Sequence, residues 1–165
     1  KSLGCTVIGT VGSEEKIDLA KKNGCDHVIN YSKENFPKKV LELTNGIGVP
    51  VVYDGVGKDT LERSIECLKV RGTMVSFGNA SGTLSPIDVP KMLQPKGLYF
   101  IRPSMGQYLG TKNELAEASK MLFEKVGSGK VKVNIFKKYK LDDVVQAHTD
   151  LGNRKITGPA IIVPN

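Results

Sequence analysis

The chain has 165 residues but no tryptophan, only two histidines and only three cysteines. Cys5, Cys25 and Cys67 are scattered and form no C-x-x-C pair, so they favour neither a disulfide framework nor a zinc knuckle. His27 and His148 have no carboxylate or cysteine at metal-ligand spacing. We therefore predict no metal site, and the isolated thiols fit a reducing compartment, the cytoplasm.

Long apolar runs, a signal peptide and common hydrolase motifs are also absent from the sequence. No stretch is long enough to span a bilayer, which gives no reason to expect a membrane. G-x-S-x-G, H-E-x-x-H and Walker patterns do not occur, which disfavours common hydrolases and nucleotide triphosphatases. The composition, 39% hydrophobic and 25% charged, is typical of a globular domain with one ordinary core.

Positive charge is in excess, with 24 Lys and Arg against 17 Asp and Glu, a net charge of +7. The densest basic cluster is Lys137, Lys138 and Lys140, and no RNA- or DNA-reading motif accompanies it. Nucleic acid is therefore not favoured as the main partner. Two other interpretations stay open: a solvated face, or a surface that receives an anionic cofactor.

Strand and helix signals alternate over the first 78 residues, which predicts a parallel sheet covered on both faces. The expected strands are 5–10, 27–30, 50–54 and 73–78. The expected helices are 14–23, 36–44 with Ser32 as its cap, and a third that starts at Asp59 or Thr60 and reaches Leu68. Beyond a Gly/Ser-rich loop, we expect helices at 89–93, 112–126 and 141–151, and strands at 98–101, 131–139 and 158–163.

The first expected strand is followed by a turn at Val11, Gly12 and Ser13, as in the second βα unit of a nucleotide-binding fold. In the strand order 3-2-1-4-5-6 the first strand separates the two halves of the sheet. Without it, strands 5–10 and 51–53 have no shared neighbour. The sequence thus predicts a piece of a longer polypeptide, and a small complete domain with its own topology is the alternative.

Several segments together resemble the quinone oxidoreductase branch, zeta-crystallin type, of the medium-chain dehydrogenase/reductase superfamily. They are IGTVGSEEK (8–16), GCDHVINY (24–31), VVYDGVG (51–57), RGTMVSFGNASG (71–82), LYFIRPS (98–104) and DLGNRKITGPAIIV (150–163). The resemblance implies a doubly wound Rossmann-type sheet lacking its first strand. It also implies a partial dinucleotide-binding domain at 1–130 and a segment of the substrate domain at 131–165.

The same resemblance implies an NADPH-dependent, zinc-free enzyme that reduces quinones or related α,β-unsaturated carbonyls by hydride transfer, with this piece alone inactive. Because the cofactor carries the hydride chemistry, we expect no catalytic side chain in this chain. The alternative is an NADPH-binding structural protein of the crystallin kind, or an RNA-binding protein, without significant turnover.

The end of the first expected strand carries no carboxylate that could bind a ribose 2′-hydroxyl. Ser13, the amides of the following helix and the charge of Lys16 could instead accept a 2′-phosphate. Glu14 and Glu15 are expected to point away. Without the resemblance, the favoured interpretation of Lys16 is an ordinary surface lysine.

The resemblance assigns the adenosine phosphate to four residues: Gly12, Ser13, Lys16 and Tyr31. Tyr31 would cover the adenine or its ribose, and a half-buried aromatic under the sheet edge is the alternative. Further cofactor contacts are expected after the later strands, at Gly55, Phe77, Gly78, Asn79, Ala80, Arg102, Pro103, Ser104 and Arg154. Arg102 could equally form a structural salt bridge, and Asp54 is interpreted as a loop-capping residue.

The stretch from Leu98 to Ile101 is short and apolar. It comes late in the sheet, so we expect it at or near an edge. The resemblance implies a homodimer that joins two sheets across this edge, with the loop 81–84 near the same interface.

Overall fold

A computed structural model of the chain describes residues 1–153 and 155–164, which fall into two compact units. The first unit contains Lys1 and Thr6–Ala118, and the second contains Ser2–Cys5 and the described residues from Ser119 onward. The strands are β1 (Ile8–Val11), β2 (His27–Asn30), β3 (Val49–Asp54), β4 (Leu68–Ser76), β5 (Tyr99–Ile101), β6 (Lys137–Lys140) and β7 (Ala160–Val163). The α-helices are α1 (Ile17–Lys22), α2 (Phe36–Leu43), α3 (Leu61–Glu66), α4 (Met105–Tyr108), α5 (Lys112–Gly127) and α6 (Val144–Gly152).

Every strand pair in the first unit is parallel, and the expected α/β class is confirmed. β1 pairs with β2, and Val11 lies opposite Asn30 at the end of the ladder. β4 lies between β3 and β5, with Asp54 of β3 opposite Ser76 of β4. Among the described residues, β1 and β3 share no strand neighbour, as the strand order predicted.

Two clusters of buried side chains form the core of the first unit. Ile29, Phe36, Val40 and Cys67 make up one cluster. Leu61, Ile65, Leu68 and Met74 make up the other. The partly buried side chains of Val49 and Val52 pack against both clusters, so β3 links the two sheets through apolar contacts.

The starts of two helices differ from the expectation. Asn35, rather than Ser32, caps α2 by accepting a hydrogen bond from the amide of Lys38 at 3.1 Å. Ser32 instead reaches back and donates to the carbonyl of Gly12 at 2.8 Å. The 14–23 segment begins as a single 3-10 turn, and α1 follows with only six residues. The sequence contains several suitable capping residues close together. Contacts with the neighbouring loop determine which of them caps the helix.

The third helix is also shorter than expected. It ends at Glu66, and Leu68, fully buried, already belongs to β4. The register of β4 against β3 shifts between Leu68 and Thr73, where Arg71 has a φ of 57°. The Lys96 ammonium stabilises this helix end by donating to the carbonyls of Glu66 and Leu68. The segment expected to be one helix reaching Leu68 therefore contains the end of a helix and the start of a strand. Hydrophobic periodicity alone does not distinguish the two.

In the second unit, only the end of the predicted strand 131–139 forms a strand. Residues 131–136 are outside any helix or strand, and Lys137–Lys140 pairs in parallel with Ala160–Val163. Tyr139 of β6 is buried, and its hydroxyl donates to the Asp150 carboxylate of α6 at 2.9 Å. The helices expected at 112–126 and 141–151 are confirmed, the latter beginning with a 3-10 turn at Leu141–Asp143. The predicted boundary at residue 130 stays a prediction.

Two short helical segments, α4 and a 3-10 turn at Gln94–Lys96, were not expected from the sequence. Both are too short to show a hydrophobic period. The segment Val89–Leu93 is helical as expected, in the π form. None of the helices in the described residues combines the length and apolarity needed to cross a membrane.

Candidate functional site

The carboxyl ends of β1 and β2 bring Gly12 and Tyr31 together. The Tyr31 amide donates to the carbonyl of Val11 at 3.0 Å, which extends the parallel ladder by one residue. A Cβ placed on Gly12 would lie 2.8 Å from the Tyr31 hydroxyl oxygen. Gly12 therefore lets the aromatic ring lie directly over the backbone of the neighbouring loop. These two residues, both assigned by the resemblance to the adenosine phosphate, thus lie together at one edge of the sheet.

Ser13 and Lys16 follow Gly12 on the same loop. Both are partly buried, and Lys16 forms the last residue of the 3-10 turn. Within the part of the chain that the structure describes, the Lys16 ammonium makes no ion pair or hydrogen bond. The helix amides expected here belong to a 3-10 turn, so charge and hydroxyl groups, rather than a helix terminus, remain the candidates for phosphate recognition.

Glu14 was expected to point away from the phosphate position, and that stays a prediction. Its exposed carboxylate forms an ion pair with Lys33, with Oε1 2.7 Å from the ammonium. Sequence analysis overlooked Lys33, because an ion pair between residues 19 positions apart depends on the register of β1 and β2. A signal was present nonetheless, since parallel neighbours place the loops that follow them at the same edge.

The carboxyl end of β3 is organised by the buried carboxylate of Asp54. Its Oδ1 accepts from the amides of Val56 and Gly57 at 2.8 and 2.9 Å. Its Oδ2 accepts from the hydroxyls of Thr60 and Ser64 at 2.8 and 2.7 Å. All four donors are neutral, so the carboxylate fixes the loop and the start of α3, as the loop-capping interpretation predicted.

Gly55 and Gly78 allow the loops after β3 and β4 to touch. A Cβ on Gly78 would lie 2.4 Å from the Gly55 carbonyl oxygen, and one on Gly55 would lie 2.9 Å from the Phe77 ring. The Ala80 amide donates to the same Gly55 carbonyl at 3.2 Å. The chain itself thus makes a close approach at Gly55, and the cofactor contact expected at this residue stays a prediction.

Ser81 joins the same two loops and was not singled out from the sequence as a contact. Its hydroxyl donates to the Val56 carbonyl at 2.8 Å and accepts from the Asp59 amide at 3.0 Å. Its own amide also donates to Val56. A serine in a Gly/Ser-rich loop carries no pattern that distinguishes this role, so only the tertiary contact reveals it.

Arg102 holds the end of β4 from the side of β5. Its Nη1 donates to the carbonyls of Ser76 and Gly78 and to the Ser76 hydroxyl, each at 3.2 Å. No salt bridge to Arg102 is found in residues 1–153 and 155–164, so that alternative is not supported. The guanidinium therefore shapes the loop that begins at Phe77.

The remaining residues predicted to contact the cofactor are held less firmly by their neighbours in the chain. Pro103 follows Arg102, and Ser104 caps α4 through a capping box with Gln107. Asn79 and Ala80 are exposed, as is the side chain of Phe77, at 58%. Arg154 lies outside the described residues, and its assignment stays a prediction.

The structure thus forms two groups from the predicted contacts. One comprises Gly12, Ser13, Lys16 and Tyr31, and the other comprises Gly55, the loop 77–80 and Arg102. The hydrogen bonds among the described residues include none that links the two groups. Two surface cavities of about 450 and 490 Å³ are lined by other residues, mainly of α2 and β2.

The side chains that could ligate a metal are dispersed over the described part of the chain. Among the described residues, no group of three or more His, Cys, Asp or Glu side chains could hold a metal ion. The three thiols are free, and burial raises the pKa of the Cys67 thiol to about 12. The residues that the structure describes therefore do not fit a zinc centre.

Comparison with known proteins identifies the family. Residues 1–124 match the family model described as zinc-binding dehydrogenase. The chain belongs to the zinc-binding dehydrogenase family. The resemblance recognised in the sequence is thereby confirmed, since relatives named quinone oxidoreductase match across the chain.

Two relatives and one solved structure illustrate the similarity. The chain is 43% identical to a 2-haloacrylate reductase of a Burkholderia species, over 99% of this chain and 50% of the relative. It is 44% identical to quinone oxidoreductase 1 of Escherichia coli, over 99% of this chain and 51% of the relative. The crystal structure of the Escherichia coli quinone oxidoreductase complexed with NADPH superposes with a TM-score of 0.94 at 44% identity, again over 99% of this chain and 51% of that one. The chain therefore spans about half the length of the relatives it matches.

Proposed function

We propose that the intact protein is an NADPH-dependent oxidoreductase that reduces quinones or related α,β-unsaturated carbonyls. Relatives named quinone oxidoreductase and 2-haloacrylate reductase support this substrate class, because each name describes an electron-poor unsaturated acceptor. The chain would supply one half of the cofactor site.

The observation that carries the proposal is the edge formed by β1 and β2. Gly12 carries no side chain beneath Tyr31, Ser13 offers a hydroxyl, and the Lys16 ammonium is without a protein partner among the described residues. A free ammonium beside a hydroxyl suits a phosphate better than a ribose hydroxyl. This edge therefore favours NADPH over NADH.

The second group of residues would lie against the nicotinamide end. Asp54 and Ser81 hold the loop after β3, and Arg102 holds the loop after β4. NADPH supplies the hydride, and solvent or residues outside this chain supply the proton that completes reduction of a quinone to a hydroquinone. The task of this chain is then to bind and orient.

Lys16→Ala in the intact protein tests the cofactor assignment. Losing a charge-assisted contact to phosphate should cost about 1.5–3 kcal/mol, or about ten- to a hundredfold in the Michaelis constant for NADPH. The Michaelis constant for NADH should stay nearly unchanged. Steady-state oxidation of each cofactor by 1,4-benzoquinone measures both values, and Lys22→Ala, an exposed lysine in the last turn of α1, is the matched control.

Equal changes for NADPH and NADH would reject Lys16 as the reader of the 2′-phosphate. Binding of NADPH without any oxidation by quinones or enones would favour the structural, crystallin-like role instead.

We also propose a homodimer through β5. Within the described residues this strand pairs with β4 alone and forms the edge of its sheet, as expected, and the Tyr99 side chain is 63% exposed. An apolar edge strand in a folded protein is usually covered or paired. Tyr99→Lys should convert the intact protein into monomers in light scattering, and a wild-type protein that is already monomeric would reject the idea. The cytoplasm stays the predicted location.

A further inference from the structure

Three contacts join the loop after β1 to the loop after β2. The Tyr31 amide bonds to the Val11 carbonyl, and the Ser32 hydroxyl bonds to the Gly12 carbonyl. The outermost contact is the ion pair between Lys33 and Glu14, at 2.7 Å. The pair therefore borders the loop that contains Ser13 and Lys16.

This ion pair is open to solvent. The side chains of Lys33 and Glu14 are 62% and 63% exposed, and neither has another side-chain partner among the described residues. Exposed pairs of this kind add little to stability, because water screens them and both side chains lose freedom. The ion pair matters more for the net charge of this edge of the sheet than for stability.

The loop 12–16 by itself is unsuited to an anion. It carries the two carboxylates of Glu14 and Glu15 and the single ammonium of Lys16, a formal charge of −2 + 1 = −1. Lys33 brings the local sum to zero by pairing with Glu14. An ammonium has three donor hydrogens, so Lys33 can keep its contact with Glu14 and still donate to a second anion.

We propose that the Glu14–Lys33 ion pair sets how strongly this edge prefers a nucleotide carrying a 2′-phosphate. Lys33 neutralises the carboxylate that would otherwise repel the phosphate, and it supplies a second ammonium beside Lys16. The inference rests on the proposed NADPH site and deepens it by naming the residues that tune its specificity.

The test is calorimetric titration of the intact protein with adenosine 2′,5′-bisphosphate and with 5′-AMP. Lys33→Met should weaken binding of the bisphosphate about three- to tenfold at low salt and change 5′-AMP binding less than about twofold, since a unit charge is lost near a dianion. The effect should shrink at higher ionic strength. Glu14→Gln should tighten the bisphosphate about two- to threefold, because Lys33 is released.

The double variant, Lys33→Met with Glu14→Gln, should recover part of the affinity lost in Lys33→Met alone. Lys39→Met is the matched control, because it breaks another exposed ion pair, Lys39–Glu42 at 3.1 Å, on α2. Unchanged thermal melting of all variants shows that the fold is retained.

The two proposals fail in different ways. A wild-type protein that binds 5′-AMP as tightly as the bisphosphate would reject the NADPH assignment itself. A wild-type protein that prefers the bisphosphate, with Lys33→Met indistinguishable from Lys39→Met or weakened equally for both ligands, would reject only the role of the ion pair.

Discussion

The two strand-end regions of the first unit are built in opposite ways. After β1 and β2, the loops meet through one backbone contact, one exposed hydroxyl and one exposed ion pair. After β3 and β4, a buried carboxylate with four neutral donors, two abutting glycines and an arginine clamp hold the loops. The first region can exchange its protein contacts for a ligand at little cost, whereas the second is rigid before any ligand arrives.

The largest expected effect is at Asp54. Asp54→Ala leaves two amides and the buried Ser64 hydroxyl without an acceptor, and leaves the Thr60 hydroxyl only the Gly57 carbonyl at 3.4 Å, so the free energy of unfolding should fall by about 3–4 kcal/mol. Calorimetric melting of the intact protein measures this loss. Asp59→Ala, an exposed neighbour, should change the melting temperature little. Similar losses for both variants would remove the contrast between the two regions.

Gly78→Ala should have the second largest effect. The new methyl group would lie 2.4 Å from the Gly55 carbonyl oxygen and 2.8 Å from its Cα, and neither backbone atom can swing away. We expect a loss of about 2 kcal/mol in the free energy of unfolding. Gly127→Ala in α5 meets no atom within 4 Å, and should stabilise by about 0.5–1 kcal/mol instead. Chemical denaturation of both variants separates steric clash from glycine flexibility.

Two serines allow a direct comparison of the regions. Ser81→Ala removes a partly buried hydroxyl that bridges the loops after β3 and β4, and should cost about 1 kcal/mol in unfolding free energy. Ser32→Ala removes an exposed hydroxyl between the loops after β1 and β2, and should cost less than about 0.5 kcal/mol. Urea denaturation midpoints give the order, and a larger loss for Ser32→Ala would reverse the assignment of the rigid region.

The smallest expected change in stability at neutral pH is at Asp150, a second buried carboxylate, which lies in the second unit. Hydrogen bonds from Tyr139 and Gln146 hold the pKa of Asp150 below its usual value, and the nearby ammonium groups of Lys155 and Lys137 add to this. A lowered folded-state pKa means that the stabilisation is complete above the unfolded value of about 4 and is lost as the pH falls through the folded value.

The urea midpoint of the intact protein should therefore drop on acidification below about pH 4. In Asp150→Asn that part of the drop should be absent, whereas in Asp26→Asn, which removes an exposed carboxylate, the Asp150 contribution should persist. Parallel pH curves for wild type and Asp150→Asn would show that Asp150 does not contribute.

The alternation of strands and helices could be predicted from the sequence alone. The same holds for the edge of the sheet at which the candidate residues follow their strands. Apolar runs of four to six residues between amphipathic segments specify parallel strands, because both faces of such a sheet must be covered. That rule sufficed for the strand His27–Asn30, whereas the strand order of a doubly wound sheet predicted the separation of β1 from β3. The lack of a carboxylate at the end of β1 pointed to a phosphate only together with the inferred nucleotide-binding fold and the family resemblance.

Which side chains meet across the loops depends on the tertiary structure and could not be predicted from the sequence. Leu68 begins a strand because its side chain is buried in the cluster around Met74, although its sequence continues a helix. Ser32, Lys33 and Ser81 are ordinary polar loop residues in sequence, and their partners lie 19 to 25 positions away. Strand register brings such pairs together, and register depends on packing across the whole sheet rather than on any local pattern.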